Sequence, residues 1–67
     1  MSQHKYIVDF RTIPEEAREK YRSLLSDVSE VGLLPVKIPY LYCCFFDESL
    51  NPEAQYQLPE GLLRRVP

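Results

Sequence analysis

A chain of 67 residues, 45% of them hydrophobic and 27% charged, has the composition of a folded domain rather than a disordered one, with room for a single small core. A net charge of −2 excludes a general nucleic-acid binder, which carries a concentrated basic face, and no run approaches the roughly 20 apolar residues of a membrane span. Two cysteines are too few for a secreted disulfide scaffold, and MSQHKYIVDF lacks the apolar run and cleavage site of a signal peptide, so the expectation is a cytoplasmic protein.

Residues 5–10, KYIVDF, alternate with period two. Tyr6, Val8 and Phe10 share one face and Lys5, Ile7 and Asp9 the other, the pattern of a half-buried strand. Residues 12–15, TIPE, then carry the marks of a helix start. Thr12 and Glu15 are spaced for a reciprocal capping box, and Pro14 lies where its missing N–H costs nothing. Ala17, Tyr21, Leu24, Leu25, Val28 and Val31 recur at helical spacing and predict a helix over 13–31. Glu16 with Lys20, Glu15 with Arg18 and Glu19 with Arg22 are spaced as ion pairs on its outer face. Gly32 fits a left-handed cap after the last turn.

Residues 36–47 are read as one long second strand. Strand, amphipathic helix and strand make an α+β mini-domain of βαβ type, in which a connection of this length suits a parallel pair. The 49–67 segment changes character. Pro52, Pro59 and Pro67 punctuate it, and Asn51-Pro52 favours a turn. Tyr56 and Leu58 fit a short strand, and Leu62, Leu63 and Val66 a last helical turn or an extended arm. Leu62 and Leu63 make this arm too apolar to stay undocked.

The segment IPYLYCCFF, Ile38 to Phe46, holds no charge. As a strand it directs Ile38, Tyr40, Tyr42, Cys44 and Phe46 to one face and Leu41, Cys43 and Phe45 to the other. Strands apolar on both faces are normally covered on both, and one helix covers only one. Leaving three or four such side chains in water forgoes ~1.5–3 kcal/mol each, large against the ~5 kcal/mol stability of so small a domain. Pro39 adds an edge signal, since proline inside a sheet is tolerated chiefly at edges. A second chain, a different protein, a ligand or the chain's own arm must cover that face.

No catalytic constellation accompanies it. The sequence shows no Ser–His–Asp order, since the single histidine, His4, at the start of the chain would have to serve everything, and two glycines cannot build a phosphate loop. Asp9, Asp47 and Glu48 fall at strand ends, where charged residues sit simply because strand ends meet water. Cys43 and Cys44, as strand neighbours, point to opposite faces and lack the C-x-x-C spacing of a metal site. They fit buried small hydrophobes best. The aromatics lack the flanking cations of a base-stacking platform.

These features favour a non-catalytic protein–protein interaction module: a small adaptor, inhibitor or accessory subunit without a cofactor. It would bind itself as a homodimer, or a larger protein, through Pro39, Tyr40, Leu41, Tyr42, Phe45 and Phe46, with the basic doublet Arg64 and Arg65 beside them. The alternatives are a thiol- or metal-dependent regulator working through Cys43 and Cys44, and a small-ligand binder with an aromatic pocket.

Overall fold

The alternation at the N-terminus produces strand β1, Gln3–Asp9, two residues longer at its start than the pattern implied. The computed structural model describes residues 2–67. After β1 the backbone tightens into a 3₁₀ turn, Phe10–Thr12, before any α-helix begins. Asp9 caps that turn: its carboxylate accepts from the Arg11 backbone N–H at 2.9 Å and from the guanidinium Nε and Nη2 at 3.0 and 3.1 Å. The Arg11 guanidinium beside Asp9 holds its carboxyl below the usual range, and burial opposes this. A nearly buried carboxylate demands such partners. The expected capping box does not form, because the Thr12 hydroxyl donates to the Asp9 carbonyl at 2.9 Å. Pro14, at φ −60° and ψ 151°, is the N-cap and makes no side-chain bond.

Helix α1 spans Glu15–Val28, shorter at both ends than the predicted 13–31. Ala17, Tyr21, Leu25 and Val28 pack on the core, whereas Leu24 lies outside that cluster and Val31 is 50% exposed. The helix stops early because its exit is tied to the sheet. The Glu30 N–H donates to the Phe45 carbonyl at 3.0 Å, and the Ser29 hydroxyl donates to the carbonyls of Phe45 and Gly32 at 3.2 and 3.3 Å. Gly32 is left-handed at φ +76°, but in this loop rather than at the helix cap. The expected ion pairs of α1 are replaced by aromatic stacking. Among the described residues the one salt bridge is Asp9–Arg11; Arg18 lies 4.4 Å from the Tyr40 ring centroid and Arg22 5.7 Å from that of Tyr42. Exposed i,i+3 pairs are worth only a few tenths of a kcal/mol, so a ring face nearby outbids them.

The predicted 36–47 strand is two elements, β2 at Leu34–Pro35 and β3 at Leu41–Asp47. Between them Pro39 and Tyr40 occupy the centre of a tight turn, closed by the Leu41 N–H donating to the Ile38 carbonyl at 3.2 Å. Tyr40 has φ +66°, the geometry a type II turn requires after proline and ordinarily gives to glycine. Left-handed backbone costs a non-glycine residue about 1–2 kcal/mol. The Arg18 guanidinium on the ring, and the Tyr40 carbonyl accepting from the Phe10 N–H at 3.0 Å, offset that cost. This reversal changes the topology. β3 pairs antiparallel with β1, Tyr6 opposite Cys44, and also with β2, so the predicted adjacent parallel pair is absent.

The arm is the fourth strand. After helix α2, Pro52–Gln55, Tyr56 and Leu58 lie in loop rather than strand, and Gly61 at φ +86° turns the chain back. Strand β4, Leu63–Arg65, then pairs antiparallel with β1, giving a four-stranded antiparallel sheet in the order β2-β3-β1-β4. The fold is α+β. The core joins Tyr6, Val8, Phe10, Cys44 and Phe46 to Leu25, Leu62 and Leu63, with Tyr6 edge-on to Phe46 at 5.5 Å between ring centroids.

Candidate interaction surface

Register assigns the two faces of the sheet. His4, Tyr6 and Val8 oppose Phe46, Cys44 and Tyr42, and Leu63 opposes Val8, so these side chains share the face that α1 and the arm cover. The other face carries a continuous cross-strand row, Leu34–Cys43–Ile7–Arg64, and beside it Phe45 opposite Lys5. None of Ile7, Cys43 and Phe45 belongs to the core cluster. Each is half-buried, and Leu34 is 42% exposed. Side chains at the middle of a sheet are partly shielded by their own neighbours, so this state is that of an open apolar face.

The residues nominated from the sequence do not form one surface. Pro39 and Tyr40 stand exposed in the turn. Leu41 and Phe46 are buried in the chain's own structure, Phe46 completely, and have no surface to offer. Tyr42 lies half-buried on the helix-covered side, edge-on to Phe10 at 5.5 Å. Phe45 and Arg64 are on the open face. Arg65 is on the covered side opposite Tyr6, its Nη2 3.2 Å from His4 Nδ1.

The two larger concavities among the described residues flank the covered side. One, of about 290 Å³, lies between the first turns of α1 and the Tyr40 turn, lined by Phe10, Glu15, Arg18, Glu19, Arg22, Tyr40 and Tyr42. It is just below the size range of small-molecule sites, and two arginines and two glutamates of α1 line it. The second, about 420 Å³, is a polar depression beside His4, Glu48, Glu53 and Arg65. Among the described residues no group of three His, Cys, Asp or Glu side chains could hold a metal ion.

The cysteines are free and differ sharply. Cys44 is fully buried, and burial, reinforced by the neighbouring Cys43, pushes its thiol up to about 12 against a weaker opposing hydrogen bond with Ser29. Cys43 is half-buried at the centre of the open row. Iodoacetamide at pH 8 and low protein concentration should therefore label one thiol per folded chain, at Cys43, by mass spectrometry. Labelling of Cys44 without unfolding would mean that the core is open. The raised thiol also sets an alkaline limit. Above the ordinary value of 9.0 the unfolded chain loses this proton while the folded chain keeps it until about 12, so stability falls across that window.

Neither edge of the sheet invites strand addition. β2 is two residues long and ends in proline; β4 is three long, carries Arg64 and Arg65, and is followed by Pro67 two residues on. Short, charged and proline-bearing edges resist pairing. Sequence reasoning missed Ile7, Leu34 and Cys43. The available signal was parity: once Phe45 lies on the uncovered face, Cys43 must as well, and the cross-strand register adds Ile7 and Leu34. No family model matches the chain, and neither a curated protein nor a solved structure matches it.

Proposed function

We propose that this chain is a non-catalytic protein-binding module, of the kind that serves as an adaptor, inhibitor or accessory subunit, and that it binds through the open face of its sheet. One observation supports this above the others. Ile7, Leu34, Cys43 and Phe45 form a contiguous apolar row-and-neighbour patch, while the arm and α1 are both used on the opposite face. Covering those side chains would recover part of the ~1.5–3 kcal/mol that each large apolar group offers on burial.

Phe45→Lys tests the reading. Phe45 is outside the core, so the variant should keep its circular dichroism and melt within a few degrees of the parent. It should at the same time lose the retention of protein partners on an affinity column. A variant that unfolds would show Phe45 to be core, and one that folds and binds as before would move the binding surface elsewhere.

A further inference from the structure

Resting on that reading of the open face, we propose that its occupant is a second copy of this chain, stacked sheet to sheet about a two-fold axis parallel to the strands.

The distribution of charge around the apolar patch carries this. On the β1–β4 side lie Lys5 and Arg64, Arg64 beside Ile7 in the row and close enough to Asp9 to lower its carboxyl. On the opposite flank lie acids. Asp47 ends β3 opposite Gln3, and the Gln3 amide reaches across to hydrogen-bond the Glu30 carboxylate. Gln3 shares its face with Lys5 and Ile7, so Glu30 is held over the open side. The face is thus apolar in the middle, with the cation Arg64 on the β4 margin and the anion Glu30 on the margin beyond β3, while the acid Asp9 on the same face is already paired with Arg11.

A two-fold axis running with the strands, midway between layers, exchanges the two margins. Each copy's β4 side then lies above the other's β2 side, so Ile7 of each copy lies over Cys43 of the other, and Phe45 over the aliphatic stem of Lys5, across the ~10 Å that separates stacked sheets. Glu30 bonds to the strand at Phe45, and Arg64 is on the Cys43 row. The two are offset along the strands by about 7 Å, within an arginine's reach. Arg64 of each copy therefore meets Glu30 of the other, twice by symmetry. An isologous contact needs such self-complementarity, whereas a foreign partner does not. Two seven-residue strands, β1 and β3, flanked by the two residues of β2 and the three of β4 give a footprint of about 300 Å² per copy. Doubled, it is well below the usual minimum for stable complexes, so the dimer should be weak, reversible and concentration-dependent.

The test is sedimentation velocity from ~5 to ~500 µM, a range that brackets weak association, with Lys5→Glu/Arg64→Glu and Glu30→Lys variants. Like charges then meet at both margins, so each variant alone should dissociate at least ~10-fold more readily than the parent. Mixed together, the two variants restore opposite charges at both margins and should recover the dimer. Glu16→Lys, the same charge change on the outer surface of α1, should not rescue Lys5→Glu/Arg64→Glu. Iodoacetamide labelling of Cys43 should slow as the parent dimerises. A parent that stays monomeric throughout, a dimer indifferent to these charges, or rescue by Glu16→Lys would overturn the second copy as occupant. If a monomeric parent still retains a foreign protein that Phe45→Lys loses, the protein-binding reading stands without self-association; if it retains none, both fall.

Discussion

A chain ending at Gly61 is expected not to fold. Leu62 is completely buried and Leu63 nearly so, and both join the core beside Val8 and Leu25. Truncating one buried leucine to alanine costs ~2–5 kcal/mol, and here two whole side chains would go. The backbone loses as much. The Asp9 N–H donates to the Leu62 carbonyl and the Val66 N–H to the Lys5 carbonyl, both at 2.8 Å, so truncation also leaves β1 as an unpaired edge. These losses exceed the ~5 kcal/mol a domain of this size can spare. Circular dichroism and a thermal melt decide it: a cooperative transition near that of the full chain would show the arm to be dispensable.

Leu25→Ala and Leu24→Ala should behave very differently although the residues are neighbours. Leu25 is completely buried beneath the sheet, eight residues from Ala17 and four from Tyr21 on the same stripe. Its truncation should cost ~2–5 kcal/mol and leave the chain largely unfolded. Leu24, one step of about 100° around the helix, lies outside the core cluster and should cost about 1 kcal/mol or less. Urea denaturation of both variants measures the difference. Equal losses would place Leu24 against the sheet, and an unchanged Leu25→Ala midpoint would take α1 off the core.

The difference between these leucines marks how finely a hydrophobic stripe can be read. Periodicity located α1 and its apolar side, but a stripe about two residues wide admits both leucines until a sheet is placed under it. The helix ends were less legible still. Thr12 and Glu15 had the spacing of a capping box, yet Asp9 and Arg11, two residues apart, took the turn first. At the other end Val31 continued the pattern, but Glu30 and Ser29 had already bonded to Phe45. Local signals compete for the same backbone groups, and long-range partners decide the contest.

IPYLYCCFF shows the same division within nine residues. Its composition correctly announced a strand apolar on both faces, and period two correctly separated Cys43 and Phe45 from Cys44 and Phe46. The turn inside it was hidden because Tyr40 holds a conformation that sequences normally mark with glycine or asparagine. The Arg18 guanidinium, brought over by α1, and the Phe10 N–H on the Tyr40 carbonyl offset the cost of a tyrosine there. That hidden reversal made β3 antiparallel to β1, which no local pattern could report.

By itself, then, the sequence determined the α+β class, the helix-forming stretch, the inward set Tyr6, Val8 and Phe10, and the excess of apolar surface over what one helix can cover. Each follows from side-chain periodicity, which acts between near neighbours. Tertiary structure alone decided strand order, the pairing of Leu63–Arg65 with β1 as a fourth strand with Leu62 buried just before it, and the choice of face left open. Those depend on pairings between residues as distant as Lys5 and Val66, whose energies exist only once the chain has closed on itself.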